Sequence, residues 1–183
     1  MYYQISFDNR FDKGVPGQTV FVTLDGTDFP LNEVTPMEPA YFSHKFKDAG
    51  VRYDVALNIA TGDIVYWGGG YPAGQYPDLV IARMGIIPLL RPGEKIIADK
   101  GYADTNYFIF PTDLRGDNSL IKKVTARHEN INARLRCWGF LRNRFRHGVM
   151  MHNKYFSAVM EIEQFKLKYG NKMQRINLDS VVI

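Results

Sequence analysis

Apolar and polar positions alternate in blocks along this chain, and the blocks change period. Thr19–Asp25 (TVFVTLD) is nearly all apolar and β-branched, which predicts a strand with both faces covered. Gly26 is expected to end or bulge it, and Thr27–Leu31 to continue it briefly. Residues 32–40, with Pro36 and Pro39, read as a loop. Val51–Ile59 and Ile64–Trp67 flank Ala60-Thr61-Gly62-Asp63, a hairpin pattern. A glycine-rich loop is expected over Gly68–Gly74. Pro77-Asp78 then opens an apolar helix reaching about Leu90, with Asp78 as a cap or first-turn acid and Pro88 kinking the end. Lys95–Ala98 is a short strand ending in Asp99, and Tyr107–Phe110 is a further apolar run. Residues 112–124 read as a polar loop. Helical spacing returns in Arg127–Phe145 and in Asn153–Tyr169, with Gly170 as the C-cap.

This order of elements predicts an α/β fold on a mixed sheet, because the hairpin gives antiparallel pairs and the helical crossovers give parallel ones. With 183 residues, 45% of them hydrophobic, the chain can build one real core. Residues 1–17 read as a lead-in and 171–183 as a tail. No run approaches the length of a membrane span, and Met1–Arg10 carries no secretory pattern, so a non-secreted, non-membrane protein is expected. The single cysteine, Cys137, excludes an internal disulfide framework and a cysteine-rich zinc cluster.

Charge divides the chain. Residues 1–120 hold 10 Lys/Arg against 15 Asp/Glu, and residues 121–183 hold 13 against 4. The basic third is suited to a polyanion, although a solvated helix face accounts for such charge equally well. In the acidic part, Asp25 and Asp99 each stand where an apolar strand meets a loop. A divalent cation shared between the two would offset the cost of partly burying them; a water-exposed strand-end cap is the plainer alternative for each. Gly69 and Gly74 have a Walker-like spacing, but Gln75-Tyr76 stands where Lys-Ser/Thr is needed. His44, His128, His147 and His152 form no zinc spacing with Cys137, and no Gly-x-Ser-x-Gly elbow exists.

Five segments in order resemble the catalytic core of DDE-type transposases, most closely the Harbinger-like group described as DDE superfamily endonucleases. They are Leu24–Phe29 (LDGTDF), Tyr53–Ile59 (YDVALNI), Pro77–Arg83 (PDLVIAR), Ala98–Tyr102 (ADKGY) and Ala126–Asn132 (ARHENIN). The resemblance covers roughly residues 18–170 and implies a ribonuclease-H-like fold in which three carboxylates hold two Mg2+ or Mn2+ ions. Asp25 matches the first aspartate and Asp99 the second, in Asp-x-Gly-Tyr. Glu129 matches the third acid and is the only acidic residue between Asp117 and Glu161. In Harbinger relatives that glutamate lies nearer the Gly-x-Leu element, here Gly139-Phe140-Leu141, where this chain has Leu135 and Arg136. Either Glu129 serves from an earlier helical turn or the third ligand is missing. Asp78 is the reserve candidate, because the Pro-Asp element recurs in the family.

The implied reaction is phosphodiester cleavage followed by strand transfer. DNA is the implied partner, with Lys45, Arg127, His128, Arg134 and Arg142 as contacts. A separate DNA-binding domain or protein and an oligomer are also compatible with it. The implied compartment is the nucleus in a eukaryote and otherwise the cytoplasm. Two rivals stand beside this reading. One is a domesticated or truncated fragment that binds DNA or protein without cutting. The other is a structure-specific or ribonuclease-H-type nuclease unrelated to mobile elements.

Overall fold

The first long strand, β1 (Val20–Pro30), is buried along nearly its whole length because helices cover both faces of the sheet at this point. The computed structural model describes residues 5–32, 38–110 and 118–176, with side chains in the last segment from residue 122 onward. Of the predicted elements, residues 112–117 of the polar loop, part of the 32–40 loop and the end of the tail lie outside the described residues.

β1 pairs antiparallel with β3 (Asp48–Asn58), and β3 pairs antiparallel with β4 (Ile64–Pro72). On its other side β1 pairs parallel with β5 (Lys95–Ile97), which pairs parallel with β6 (Phe108–Ile109). The short β2 (Phe42–Ser43) adds to the start of β3. The central order is therefore β4-β3-β1-β5-β6, three antiparallel strands followed by two parallel ones. This mixed six-stranded sheet flanked by helices is the expected ribonuclease-H-like α/β arrangement.

Alternation along β1 and β3 splits the core into two layers. Phe29, Val51, Tyr53, Val55 and Leu57 face α2 (Asn118–Arg136), α3 (Gly139–Arg142) and α4 (Val149–Tyr169), meeting Ile131, Leu135, Leu141, Phe156 and Val159. Val22, Leu24 and Ala56 face the other way, toward Ala82 of α1 (Asp78–Met84), Ile86 and Tyr102.

Several boundaries differ from expectation for physical reasons. Gly26 neither ends nor bulges β1, since the pairing with β3 runs unbroken through Gly26 opposite Asp54. The expected glycine-rich loop is mostly strand: Gly68–Gly70 extend β4, and the register shifts between Arg52 and Tyr53, where Gly69 and Gly70 take positive φ. That shift is a bulge that only glycine accommodates cheaply, because a Cβ on Gly69 would sit 2.5 Å from the Arg52 carbonyl oxygen. The helix opened by Asp78 closes at Met84 and gives way to a 3-10 turn at Ile87–Leu89 containing Pro88. α2 starts earlier and stops earlier than the pattern predicts. It ends at Arg136, and Phe145 lies in an extended bridge to Leu31 rather than in a helix. Gly170 follows α4 with φ −125°, outside the left-handed region, and its N–H bonds the Lys166 carbonyl.

The lead-in is anchored at Arg10, which is buried and ion-paired to Glu94 at 2.7 Å. On α4, His152 is fully buried among Phe29, Tyr53, Phe140 and Phe145. One ring nitrogen meets the Tyr53 hydroxyl at 2.8 Å, and the other has no partner among the described residues.

Burial holds the His152 pKa down at about 4. An unfolded chain takes up that proton near pH 6.5 and the folded one resists it. This contribution to stability is therefore intact above pH 6.5 and is lost as pH falls toward 4, by roughly 3 kcal/mol. Urea midpoints measured from pH 7 to 4 are expected to fall, and to fall less steeply in His152→Asn, which cannot titrate. Equal slopes in the two proteins would contradict this origin.

Candidate active site

The site is built on the parallel pair β1–β5. The pairing of β1 with β5 ends at Thr23 opposite Ile97, and Asp99 follows two residues past the end of β5. Its charge reaches Asp25, so the two carboxylates lie within electrostatic range of each other. Asp25 is half-buried and Asp99 is exposed. Burial is the main force raising the Asp25 pKa, and the Asp99 charge adds to it. Lys45 and a hydrogen bond from Asn132 pull the other way.

Asn132 comes from α2, its amide nitrogen donating to Asp25 Oδ2 at 3.2 Å. One turn earlier on the same helix, a ring nitrogen of His128 lies 2.7 Å from the Thr23 hydroxyl. These contacts at i and i+4 fix which face of α2 lies against β1. Glu129 precedes Asn132 by three residues and so lies near that face, but its side chain is exposed. Among the described residues, no three of His, Cys, Asp or Glu gather as a group able to hold a metal ion. Asp25 and Asp99 are brought together; Glu129 is not brought into a metal-holding group with them.

Asp78 lies nearer the pair. A Cβ on Gly26 would fall 2.3 Å from its Oδ1. One on Gly101 would fall 3.5 Å from its Oδ2 and 2.9 Å from Asp99 Oδ1. Its carboxylate thus lies between the glycine that follows Asp25 and the glycine two residues beyond Asp99. Oδ1 is buried with no hydrogen bond, although Arg52 Nε is 3.3 Å away. Burial raises the Asp78 pKa, against the pull of Lys45 and Arg52.

Beneath these acids lies a layer of buried charge. Arg52 grips Asp28 with two bonds, of 2.7 and 2.9 Å, and Ser43 donates to the same carboxylate. Asp54, fully buried opposite Gly26, accepts from the Tyr102 hydroxyl at 2.9 Å; its other oxygen has no partner among the described residues. Burial, reinforced by the charges of Asp78 and Asp25, pushes the Asp54 pKa up to about 8. At neutral pH Asp54 is therefore mostly protonated.

The five residues expected to meet DNA divide. Lys45 is half-exposed, donates to the Gly26 carbonyl at 2.6 Å and bears on both Asp25 and Asp78. Arg142 is exposed at the end of α3. Arg127 is buried, its guanidinium bonded to the carbonyls of Ile59 and Gln174, and burial lowers its pKa to about 10. His128 is buried too, with its pKa held down at about 4 by the loss of solvent. Arg134 is tied to the Asn130 side chain and the Asn171 carbonyl. Arg127 and His128 are spent on internal partners, because their positions on α2 turn them toward the sheet.

Sequence reasoning missed Arg52, Asp54, Tyr102 and Asn132. A signal was present: Arg52 and Asp54 are charged residues two apart within an otherwise apolar strand, so burial on one face requires partners there. Asn132 stands four residues after His128 and carries no such mark.

Gly26→Ala places a methyl against Asp78 and is expected to cost about 1–3 kcal/mol as overpacking. Removing the Asp78 side chain as well should recover part of that loss, which urea denaturation of the double-mutant cycle would measure. Additive effects would show that the two positions do not touch.

The chain matches no curated protein and no solved structure. A family model described as DDE superfamily endonuclease matches residues 24–162, most of the chain. That span opens at the residue before Asp25 and takes in Asp78, Asp99 and the face of α2 that meets β1. The chain belongs to the DDE superfamily endonuclease family.

Proposed function

We propose that this chain is a metal-dependent DNA endonuclease and strand-transfer core, with Asp25, Asp99 and Glu129 as its metal ligands. The observation that supports the proposal is that the parallel pairing of β1 with β5 carries Asp25 and Asp99 close enough for the Asp99 charge to act on Asp25. Two hard oxygen ligands of like charge, one half-buried and pushed toward protonation, fit a magnesium or manganese ion. Two such ions, when bound, would activate water or a DNA 3′-hydroxyl and stabilise the leaving oxygen.

The protein's own groups have separate tasks. Asp25 must lose its proton to serve as a ligand, and Lys45 and Asn132 favour that form. Asn132 also holds Asp25 toward α2, the helix that carries the exposed Glu129 one turn away. Asp78, wedged beside Gly26 and Gly101, is a fourth carboxylate available to the same centre. Lys45 and Arg142 are the exposed cations of the original five that suit phosphate, while Arg127, His128 and Arg134 hold the frame.

Asp25→Ala, Asp99→Ala and Glu129→Gln are each expected to lower manganese-dependent nicking of plasmid DNA on the order of a hundredfold or more. Calorimetric titration with Mn2+ should show weakened binding in the same three variants. Unchanged nicking in all three would end this reading. A second reading, a fragment that binds DNA or protein without cutting, is favoured by one observation: no three-ligand group forms among the described residues. Failure of the unmutated chain to bind Mn2+ at millimolar concentration would decide for it.

A further inference from the structure

A second feature lies where β1 leaves the sheet. A cavity of about 910 Å3 opens there, with Asp28 and Phe46 on one side and Arg136, Arg142, Arg144 and Arg146 on the other. The arginines are held in place by the core beneath them. Phe145 is buried, its N–H bonds the Pro30 carbonyl, and its carbonyl accepts from Asn32. In an extended segment neighbours of a buried residue point the opposite way, so burying Phe145 turns Arg144 and Arg146 outward.

Among the described residues only Arg144 has a carboxylate partner, Asp48 at 2.6 Å. Asp28 is already engaged by Arg52 and Ser43. The side chains of Arg136, Arg142 and Arg146 make no hydrogen bond or ion pair with described residues, and all three are exposed. Three unneutralised guanidiniums around one concavity repel each other and favour an anion with several phosphates.

Two paths connect this cavity to the acid pair. Asp28 is three residues beyond Asp25 on β1, about 10 Å along the strand. Arg136 is one turn beyond Asn132 on α2, about 6 Å along the helix. The cavity therefore lies within a few nucleotides of a phosphate held at Asp25. Phe46 and Leu141 add an apolar part to the lining, against which an unpaired base could lie, whereas bases in a duplex are already stacked on one another.

We propose that this arginine cavity is a subsite for single-stranded DNA, gripping two or three phosphates of an unpaired strand that flanks the bond to be cleaved. The inference rests on the endonuclease reading above for its DNA partner. The test uses the full chain and fluorescence anisotropy with two labelled DNAs, a blunt duplex and the same duplex carrying a short single-stranded extension. The extended DNA is expected to bind more tightly. Arg136→Gln/Arg146→Gln should weaken its binding roughly tenfold or more and flatten the dependence of log affinity on log salt by about 2. Blunt-duplex affinity and the calorimetric Mn2+ affinity should stay within about twofold of the unmutated chain. Arg175→Gln, basic but outside this cavity, is the control and should change neither DNA.

Equal loss for both DNAs would overturn the single-strand assignment, as would an unaltered salt slope or tighter binding of the same extension made of RNA. Loss of Mn2+ binding in the unmutated chain would instead strike the endonuclease reading. The two failures are therefore distinguishable.

Discussion

Everything at the candidate active site follows from one pairing, the parallel register that sets Thr23 of β1 beside Ile97 of β5. Asp25 follows two residues on, in the middle of β1, and Asp99 two residues past the end of β5, where its charge reaches Asp25. A parallel pair requires a crossover, and here the crossover runs through β3, β4 and α1, which returns Asp78 to the same place. The acids are thus gathered by topology rather than by sequence proximity. Their cost is visible in the upward pressure on the pKa of Asp25, Asp54 and Asp78, each caused first by burial.

The buried charge beneath these acids limits what the site can tolerate. Asp28 and Arg52 neutralise each other in a doubly bonded pair, and breaking a buried pair by removing one partner typically costs about 3–5 kcal/mol. Asp54 instead avoids its charge by keeping its proton. The glycines serve the same crowding. Gly26 leaves room for the Asp78 carboxylate, 2.3 Å from where a Cβ would sit, and Gly101 leaves room for Asp99 Oδ1, at 2.9 Å.

The separation of charge along the chain becomes a separation in space. Acids from the first two thirds meet beside the middle of β1 and just past the end of β5, while arginines from the last third ring the cavity where β1 exits. Opposite potentials a few nucleotides apart suit a substrate that is a polyanion with one reacting phosphate, which ties the proposed chemistry to the proposed strand subsite. No helix among the described residues is long and apolar enough to cross a membrane.

The sequence by itself determined the strands around Val22, Val55 and Ile96, the hairpin at Thr61-Gly62 and the helical stripe through Ile131 and Leu135. These follow from local periodicity, which a short window of residues contains in full. It also marked Asp25 and Asp99, because a carboxylate at the end of an apolar strand is conspicuous. The tertiary structure alone decided that Gly68–Gly70 continue a strand, since that depends on β3 offering them partners across a bulge. It alone decided that Arg127 and His128 turn inward while Arg136 and Arg146 face the cavity, since helix rotation is set by packing against β1. The contact of Asn132 with Asp25, 107 residues away, belongs to the same class. Which side chains meet across such a distance is a property of the assembled sheet and helices, and no local pattern encodes it.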